Sequence, residues 1–520
     1  MGPDPSTPPR ETGLHIKLVD ETASERFAAG LAMLAGKGDL IALEGDLGTG
    51  KTTIARSFIR ALAGNPHLEV PSPTFTLVQT YELGEMDVAH MDLYRLEDPA
   101  DIEELGIDDA LETGAVLVEW PSRAADLLPP GGLLIELTEQ DGGRTAHLTS
   151  TGDSWSARLD RLRHIDALLA ASGWDQVTRH RMPADASTRR YERLSNGPQG
   201  ASGLLMDMPS RPDGDAVRNG LPYSRIAHLA EDIRAVEAIN RGLQAQGLSA
   251  PEIHAIDTCN GLAVIEDFGA ASLRSLLDDA DQFPLCLTSA VMLLANMAGK
   301  NWPDHVELAS GGSYRLSHYD MDAMLIEVEL CLDWYWPHVC DTALTDDVRD
   351  EFMTAWQDVL QLAQANRPVW VLRDFHVDNL FWLPGREADR KIGLIDTQDC
   401  VLGHPAYDVA SLLQDVRVTI PADVEKDYYD MYVAARGAGE DDFDTGAFAA
   451  AYAILGAQRA TKILGIFARL NVRDGKPGYL KYLRRTSDVV EHNLRHPALA
   501  AVKAWYDAHL PRVVRDGAGS

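Results

Sequence analysis

The sequence is poor in cysteine, and the cysteines it has do not form a recognisable framework. Its 520 residues include five cysteines, an odd number, all from residue 259 onward and without a CxxC spacing: Cys259, Cys286, Cys331, Cys340 and Cys400. Disulfide scaffolds and zinc sites need paired, closely spaced cysteines. The sequence therefore argues against both kinds of site and predicts ordinary buried thiols.

Long apolar runs are also missing. No stretch approaches the roughly 18 to 20 uninterrupted apolar residues that a membrane-spanning helix needs. The first residues, Met1–Thr12, are rich in proline and polar side chains and lack the basic and then apolar layout of a secretion signal. We therefore expect a cytoplasmic protein with no membrane partner and a disordered tail over residues 1–13.

Basic residues are scarce relative to acidic ones. The chain has 47 lysines and arginines against 79 acidic residues, which gives a formal net charge of −32. A surface of this sign repels the phosphate backbone, so the chain alone is not expected to be a general nucleic-acid binder. Any role with RNA would run through a partner protein, and a well-solvated acidic surface is the simpler interpretation. No internal repeat or low-complexity tract is present.

A phosphate-binding motif lies near the start of the chain. An apolar run at Asp39–Glu44 predicts a buried parallel strand, and the helical spacing of residues 52–63 predicts a helix. The segment between them fits the pattern G-x-x-x-x-G-K-[ST], and this order of strand, loop and helix is what a P-loop requires. The motif predicts that Thr52 binds Mg²⁺ and that the following residues bind a nucleotide: Gly45, Asp46, Leu47, Gly48, Thr49, Gly50, Lys51, Thr52 and Thr53.

Three further motifs narrow the class of P-loop protein. They are Val70-Pro-Ser-Pro-Thr-Phe-Thr-Leu-Val78, His90-Met-Asp-Leu-Tyr-Arg-Leu96 and Val118-Glu-Trp-Pro121. In order and spacing they resemble the TsaE family, the small ATPase subunit of the bacterial machinery that makes N6-threonylcarbamoyladenosine in tRNA. The resemblance covers residues 14–162. It implies that the partners are the other subunits of that machinery and that tRNA is contacted only indirectly.

The TsaE resemblance also implies roles for individual residues. Ser72–Phe75 resembles the switch segment that faces the γ-phosphate, although Ser72-Pro73 alone would also fit a rigid turn. Asp92 resembles a catalytic acid near the active centre. Glu119, at the end of an apolar strand, resembles the second Mg²⁺ ligand. Glu21 and Arg144 match family positions near the nucleotide.

A second phosphate-handling motif lies more than three hundred residues later. The run Leu372-Arg-Asp-Phe-His-Val-Asp-Asn379, followed by Ile395-Asp396, has the spacing of a kinase catalytic loop and metal-binding aspartate. Kinase chemistry needs a carboxylate base and oxygen ligands for Mg²⁺ between the phosphates of ATP. Asp374 is the predicted base, and Asn379 and Asp396 are the predicted metal ligands. A strand-rich segment followed by a mostly helical one fits the two lobes of a kinase.

The small lobe departs from the protein-kinase pattern. No lysine occurs between Lys51 and Lys300, so the strand lysine that holds the α- and β-phosphates is missing. The phosphate loop at residues 184–191 also lacks its glycines. Arg189 or Arg190 is the expected replacement for the lysine charge.

Other residues near the second motif receive supporting roles. Glu237, on the helix after the small-lobe strands, is a possible partner for the replacement arginine. Glu266, in Glu266-Asp-Phe-Gly269, resembles the linker between lobes where the adenine binds. We expect His376 to support the catalytic loop, and Asp408 to cap a helix or brace a loop.

The motifs of residues 172–512 together resemble the AmgK family. These motifs are A-S-x-R-R-Y, I-E-D-x-G, L-R-D-x-H-x-D-N, I-D-x-Q-D and a C-terminal helical segment from Gln458 onward. The resemblance implies an anomeric kinase for the amino sugars N-acetylmuramate and N-acetylglucosamine. Arg459 and Arg469, with Arg473, form a cluster that suits the carboxylate of N-acetylmuramate. Two alternatives stay open, namely a kinase of another small alcohol such as an aminoglycoside or choline, and a pseudokinase that serves as a regulatory module.

The expected fold is an α/β P-loop NTPase domain followed by an α+β bilobal domain of the protein-kinase-like, aminoglycoside phosphotransferase type. The predicted order is the tail, a P-loop domain, a linker helix, a small lobe and a helical lobe: residues 1–13, 14–162, 163–173, about 174–270 and about 271–512. ATP and Mg²⁺ are the expected cofactors of both domains.

Overall fold

A computed structural model gives the fold of most of the chain, namely residues 14–84, 86–98, 102, 104–140, 142–150, 153–182, 189–210 and 213–516. The expected tail and most of the predicted phosphate loop at 184–191 lie outside these described residues. The chain forms two compact units. The first runs to Met208 and adds His254–Asp267, and the second comprises Pro209–Ile253 and the residues from Phe268 onward. The P-loop and the small-lobe strands therefore belong to one unit.

A seven-stranded sheet organises the beginning of the first unit. Its strands are β1 (Leu14–Leu18), β2 (Leu40–Gly45), β3 (Val78–Tyr81), β4 (Asp87–Asp92), β5 (Gly114–Glu119), β6 (Leu133–Gln140) and β7 (Gly143–Ser150). Their order is β1-β7-β6-β2-β5-β4-β3, with β2 parallel to both of its neighbours. The apolar runs of β2 and β5 are almost wholly buried, as strands covered on both faces must be. The prediction of inner strands at these positions is confirmed.

Four helices accompany this sheet: α1 (Glu21–Leu34), α2 (Lys51–Leu62), α3 (Ile107–Thr113) and α4 (Asp153–Ala171). Helix α1 begins at Asp20, whose carboxylate accepts a 2.7 Å hydrogen bond from the amide of Ala23. In α2, Ile54 and Phe58 are buried, as the helical spacing predicts. The strand, loop and helix of the predicted P-loop therefore exist in that order.

Helix α4 serves two hydrophobic cores. Its first half packs in the core of the P-loop sheet through Trp155, Leu159 and Leu162. Its second half packs in the core of the small-lobe sheet through Ile165, Leu168 and Leu169. The boundary expected near residue 163 thus falls inside one continuous helix.

The small-lobe sheet has five strands in the order β13-β14-β10-β9-β8. These strands are β8 (Thr178–Arg181), β9 (Arg190–Ser195), β10 (Gly203–Asp207), β13 (Ile253–Asp257) and β14 (Leu262–Glu266). Between β10 and β13 the chain forms a separate strand pair, β11 (Ala216–Arg218) and β12 (Leu221–Pro222), and two helices, α5 (Tyr223–Ile226) and α6 (Arg234–Ala245). Strands β8, β9, β10 and β14 pair antiparallel. This arrangement confirms the strand-rich small lobe expected from the sequence.

The second unit is mainly helical. Its further helices are α7 (Gln282–Gly299), α8 (Met321–Leu330), α9 (Trp336–Val339), α10 (Asp346–Leu360), α11 (Ala406–Leu413), α12 (Ala422–Gly439), α13 (Thr445–Val472), α14 (Leu483–Asn493), α15 (Ala500–His509) and α16 (Arg512–Asp516). Its strands are β15 (His305–Glu307), β16 (Ser313–Arg315), β17 (Val369–Val371), β18 (Leu380–Trp382), β19 (Ile392–Leu394) and β20 (Val401–Gly403). Strands β17 to β20 form two antiparallel pairs, β17 with β20 and β18 with β19. The long helix α13 contributes to the core along most of its length.

Helix α7 and the cysteines bear on two expectations from the sequence, the absence of a membrane-spanning helix and the presence of buried free thiols. Among the described helices one, α7, is long and apolar enough by length and composition to cross a membrane, with a mean hydropathy of 1.3. Half of it is buried, and its residues belong to the core of the second unit, as those of an apolar core helix do. All five cysteines are free, as predicted, but Cys259 is exposed and not buried because it lies in the turn between β13 and β14.

Truncation inside α4 should weaken the small-lobe sheet. The guanidinium of Arg161 donates to the Asp207 carboxylate at 2.5 Å and to the main-chain oxygen of Gly261 at 3.2 Å, and so ties α4 to β10 and β14. We expect fragment 165–520 to melt several degrees below fragment 153–520, because loss of a charged partner costs about 1.5–3 kcal/mol and apolar core contacts are lost as well. Thermal unfolding followed by circular dichroism measures the difference.

The matched control is Arg161→Ala in fragment 153–520, which removes the hydrogen bonds and keeps the helix. This substitution should account for part of the fall in melting temperature. Equal melting temperatures for the two fragments would contradict this role of α4.

Candidate active sites

The P-loop is built from glycines that other residues could not replace. Gly45 has a φ of +140°, and a Cβ on it would lie 2.5 Å from the main-chain oxygen of Leu137. Gly50 has a φ of +99°, and a Cβ there would lie 3.3 Å from the guanidinium carbon of Arg144. The loop therefore needs glycine at both positions. The guanidinium of Arg144, a residue that the TsaE resemblance put near the nucleotide, lies beside Gly50 on the side where a side chain would project.

Lys51 is folded into the loop. Its Nζ donates to the main-chain oxygens of Gly45 at 2.7 Å and Asp46 at 2.9 Å, and lies 3.6 Å from the ring centre of Trp120. Burial lowers the pKa of this ammonium, and the Glu119 carboxylate opposes that shift. Phosphate oxygens can take the place of these two carbonyl partners, which is the exchange that a P-loop lysine has to make.

The predicted metal residues of the first site lie in contact. The Thr52 hydroxyl donates to Oε2 of Glu119 at 2.9 Å. Oε1 of the same carboxylate lies 2.9 Å from Nε2 of His90. The parallel register of β4 and β5 sets Asp92 directly beside Glu119, so two carboxylates occupy the ends of adjacent strands.

Asp92 holds the predicted switch segment. Its Oδ2 accepts hydrogen bonds from the hydroxyls of Ser72 at 2.8 Å and Thr74 at 2.7 Å, and its Oδ1 accepts one from the amide of Tyr94 at 3.0 Å. Phe75, next in the segment, is 81% exposed. The hydrogen bonds from Ser72 and Thr74 therefore hold the switch segment in position beside Asp92.

Four other predicted residues of the first site lie at its periphery. Leu47 at the tip of the loop is 79% exposed, and Asp46 is exposed beside it. Thr53 lies half-buried in the first turn of α2. Glu21 begins α1 and is exposed, three residues after the end of β1.

The second catalytic loop is braced from beneath by Asp408. Strand β17 leads into the loop, and the carboxylate of Asp408 in α11 accepts hydrogen bonds from the amides of Leu372 at 2.7 Å and Arg373 at 2.9 Å. Burial raises the pKa of Asp408 to about 7, against the effect of these two amides. The predicted loop-bracing role of Asp408 is confirmed.

Arg373 anchors the loop in the core. It has a φ of +68° and is 2% exposed. Its guanidinium pairs with Glu327 of α8 and donates to the main-chain oxygen of Ala227 at 2.8 Å. The unusual backbone conformation is thus maintained by a buried ion pair on one side and the bonds to Asp408 on the other.

The hairpin of β18 and β19 brings the predicted metal ligands together. Asn379 precedes β18, Asp396 follows β19, and the register pairs Leu380 with Leu394. The amide of Ile395 donates to the main-chain oxygen of Asn379 at 3.1 Å. Distant residues in the sequence therefore meet at one end of a short hairpin.

Oxygen atoms are available for Mg²⁺ in both sites. The Asn379 amide nitrogen donates to the main-chain oxygen of Asp374 at 3.1 Å, a contact that does not use Oδ1. Asp396 and the pair of Thr52 and Glu119 supply further oxygens, the ligand type that Mg²⁺ prefers. Among the described residues, no group of three or more His, Cys, Asp or Glu side chains is arranged to hold a metal ion. These sites fit a cation that arrives with nucleotide phosphates.

Cations surround the predicted base Asp374. Burial alone would raise the pKa of Asp374, but nearby His376, Lys462, Arg459 and Arg417 together lower it to about 2. Burial also lowers the pKa of His376 to about 4, so this imidazole is neutral at pH 7. The lysine and the two arginines are then the charges that act at neutral pH. Asp374 is ionised there and can accept a proton.

Lys462 belongs to a buried polar network. Its Nζ donates to Glu327 at 3.1 Å and to the hydroxyl of Tyr407 at 3.2 Å. Gln458, one turn earlier on α13, donates to the other carboxylate oxygen of Glu327 at 2.9 Å. With Arg373 on the same carboxylate, Glu327 is paired with two buried cations.

Arg459 has no such partner. It is 4% exposed, and it makes no hydrogen bond or ion pair with any residue that the structure describes. Arg469, further along α13, lies with its guanidinium carbon 5.5 Å from the ring centre of Tyr223, and burial lowers its pKa. Arg473, in contrast, pairs with the adjacent Asp474 at 2.7 Å. The predicted arginine cluster thus contains one paired and two unpaired members.

The small-lobe residues take ordinary positions in their sheet. Arg190 begins β9 opposite Asp207 of β10, and Glu266 ends β14 opposite Gly203. Their predicted contacts with a nucleotide stay predictions.

Glu237 has different partners from those expected. It is 2% exposed and accepts hydrogen bonds from the amide of Ala309 at 2.6 Å and from the hydroxyl of Ser310 at 2.6 Å. Both carboxylate oxygens are occupied in this way. Among the described residues, Glu237 is therefore paired with this loop and not with the replacement arginine that the sequence suggested, because the loop occupies both carboxylate oxygens.

Sequence reasoning missed three residues of the two sites: His90, Glu327 and Lys462. Each carried a signal, because each is a polar residue inside an apolar stretch, where an unpaired side chain would be costly. His90 was quoted within a motif without a role of its own. Lys462 lies one helical turn after Arg459, on the same face of α13.

Comparison with known families gives two matches along the chain. Residues 18–146 match the model described as "Threonylcarbamoyl adenosine biosynthesis protein TsaE", and residues 178–450 match "Phosphotransferase enzyme family". Together they cover the two motif regions. The family resemblances drawn from the motifs and the expected fold classes are confirmed.

Individual relatives agree with this division. The second part is similar to the N-acetylmuramate/N-acetylglucosamine kinase of Caulobacter vibrioides, with 37% identity over 66% of this chain and 95% of that protein. The Pseudomonas putida protein of the same name is 29% identical over 65% of this chain and 90% of its own length. The first part is similar to the TsaE protein of Rickettsia felis, with 35% identity over 28% of this chain and 85% of that protein.

Removal of Glu327 should destabilise the second unit strongly. Burial would raise the pKa of Glu327, but the charges of Lys462 and Arg373 lower it to about 2. Glu327→Ala leaves these two cations buried without their anion, which costs about 3–5 kcal/mol for a broken buried ion pair. Urea unfolding of the full chain measures the change in the transition of this unit.

Glu327→Gln is the matched control, since it keeps the shape and loses only the charge. The pH dependence gives a second check. The folded pKa lies below the ordinary 4.5, so the stabilisation is present above about pH 4.5 and is lost as the pH falls towards 2. Wild-type stability for Glu327→Ala would show that the pair has no structural role.

Proposed function

Because the chain belongs to the TsaE family over its first part and to the phosphotransferase enzyme family over its second, we propose that it is a bifunctional enzyme. The first part hydrolyses ATP in support of N6-threonylcarbamoyladenosine formation in tRNA. The second transfers phosphate from ATP to the anomeric hydroxyl of an amino sugar. One observation carries the proposal: each unit contains its own set of phosphate-handling residues, Lys51 with Thr52 in one and Asp374 with Asn379 and Asp396 in the other.

In the first reaction, the chain positions the phosphates of ATP. Lys51 exchanges its carbonyl partners for phosphate oxygens, and the loop amides surround the phosphates. Thr52 and Glu119 would hold Mg²⁺, which neutralises phosphate charge. Asp92 keeps the switch segment in place through Ser72. Glu21 and Arg144 are proposed to lie at the nucleotide, and the position of the Arg144 guanidinium beside Gly50 of the P-loop supports its part.

Partner subunits are needed for the tRNA reaction. The net charge of −32 opposes direct tRNA binding, so the tRNA is contacted through other proteins of the threonylcarbamoyladenosine machinery. The relatives named TsaE support this assignment.

In the second reaction, Asp374 accepts the proton of the anomeric hydroxyl as the γ-phosphoryl group is transferred to that oxygen. Anomeric hydroxyls are more acidic than other sugar hydroxyls, so an ionised carboxylate suffices as the base. Asn379 and Asp396 would hold Mg²⁺, which neutralises charge on the transferring phosphate. Asp408 and Arg373 fix the loop that carries the base. Arg190 and Glu266 are proposed nucleotide contacts of the small lobe.

The charge around Asp374 favours an anionic substrate. Arg459 is buried and its charge acts on Asp374, but it makes no hydrogen bond with the described residues. A carboxylate on the substrate would supply a charge-assisted partner. Arg469 is a second proposed ligand for this group. N-acetylmuramate carries such a carboxylate. A cationic aminoglycoside would be repelled by Arg459 and Lys462, which disfavours that alternative.

Loss of the base should affect the second activity alone. Asp374→Asn should keep Mg²⁺ and ATP binding and lose about 10² to 10⁴ in rate, as expected for a missing general base. Phosphorus NMR with N-acetylmuramate or N-acetylglucosamine should show the 1-phosphate, by coupling to the anomeric proton. Asp442→Asn, an exposed acid away from the loop, is the control. Phosphate on the 6-hydroxyl, or transfer only to an aminoglycoside, would refute the sugar 1-kinase.

Loss of the P-loop lysine should affect the first activity alone. Lys51→Ala should abolish the ATP hydrolysis that depends on the tRNA-modification partners and leave sugar phosphorylation near normal, because the phosphate ligands are separate. Lys37→Ala, an exposed lysine just before β2, is the control and should change neither. If both activities fall in a folded Lys51→Ala protein, the two sites are not independent.

Arg459 should discriminate between the two sugars. Arg459→Met should raise KM for N-acetylmuramate about 10- to 150-fold, the equivalent of a charged hydrogen bond of about 1.5–3 kcal/mol. KM for N-acetylglucosamine, which has no carboxylate, should change little. Arg473→Met is the control, because this arginine is already paired. An equal fall of kcat for both sugars would instead assign Arg459 to the transferring phosphate.

A further inference from the structure

His90 is a polar side chain in a place where an apolar one would be expected. It lies in β4 between Ala89 and Met91 and is 0% exposed. Its Nδ1 has no hydrogen-bond partner among the described residues, so burial of the ring leaves one polar atom unsatisfied. Such burial is unfavourable unless the other ring nitrogen, Nε2, makes a stabilising hydrogen bond.

That contact is with the Glu119 carboxylate. Nε2 of His90 lies 2.9 Å from Oε1, and because a carboxylate only accepts, the ring donates this hydrogen bond. The Thr52 hydroxyl donates to Oε2, also at 2.9 Å. Glu119 therefore has a protein donor on each oxygen, one from α2 and one from β4.

The strand register explains how His90 reaches this position. Asp92 pairs with Glu119 across β4 and β5, and His90 lies two residues earlier on the same face as Asp92. Its longer side chain extends along that face to the carboxylate. Without it, the flexible Glu119 side chain would be held by Thr52 alone.

We propose that His90 is a positioning residue that orients Glu119 for the divalent cation of the P-loop site. This inference rests on the proposed function, since it assumes that the site binds ATP with Mg²⁺. Partners of metal-binding carboxylates set ligand orientation, and their loss typically costs about 10- to 100-fold in metal affinity or activity. His90 does not contact the nucleotide and acts only through Glu119.

The test measures nucleotide binding and not turnover. Affinity for a non-hydrolysable ATP analogue is determined by calorimetry with the full chain, once with Mg²⁺ and once in EDTA. The same chain with Lys51→Ala serves as the blank for binding at the kinase site. The readout is the gain in affinity that Mg²⁺ provides at the P-loop site.

Three substitutions at the same position separate a positioning role from a packing role. His90→Leu fills the space without a donor and should reduce the gain about 10- to 100-fold, while affinity in EDTA changes less than about twofold. His90→Gln, whose amide N–H reaches about as far as Nε2, should restore most of the gain. His90→Asn, whose amide is too short, should behave like His90→Leu, and it keeps the comparison available if His90→Leu does not fold.

The outcomes are distinct. An unchanged gain in His90→Leu, or an equal loss with Mg²⁺ and in EDTA, would overturn the inference, because the ring would then have no role or only a packing role. If the unaltered chain shows no gain from Mg²⁺ over its Lys51→Ala counterpart, the proposed ATP site itself fails.

Discussion

The second unit depends on the pairing of a charge that is wholly removed from water. Glu327 in α8 holds Arg373 of the catalytic loop and Lys462 of α13, so one carboxylate joins three parts of the chain that are distant in sequence. A buried charge is tolerated only when it is paired and hydrogen-bonded, and here each partner depends on the others. The position of Asp374, next to Arg373, follows from this network. The amides of Leu372 and Arg373 donate hydrogen bonds to Asp408, and these bonds hold the backbone of the same loop.

The two sites position reactive groups by different means. In the first, glycines let the main chain bend tightly, and the side chains of Thr52 and Glu119 meet where α2 begins and β5 ends. In the second, a short hairpin sets Asn379 near Asp396, and buried cations keep Asp374 ionised. The first design relies on backbone geometry and the second on side-chain electrostatics. Such different solutions in one chain agree with two families joined end to end.

The sequence predicted the elements whose signals are local. The apolar run of β2, the glycines after it and the periodicity of α2 gave the P-loop, and the spacing from Asp374 to Asn379 gave the catalytic loop. Contacts between distant segments carried no local signal. The loop that binds Glu237 and the partners of Glu327 were missed for this reason, although the polar residues of that network stand out within apolar stretches. The extension of α4 back to residue 153 was also missed.

A chain with two separate nucleotide sites should bind two nucleotides at once. Equilibrium dialysis of the full-length protein with a non-hydrolysable ATP analogue and Mg²⁺ measures this number. We expect two nucleotides bound per chain, and one per chain after Lys51→Ala, with the remaining site unchanged in affinity. A single nucleotide per unaltered chain, or the loss of both with Lys51→Ala in a folded protein, would contradict the presence of two separate sites.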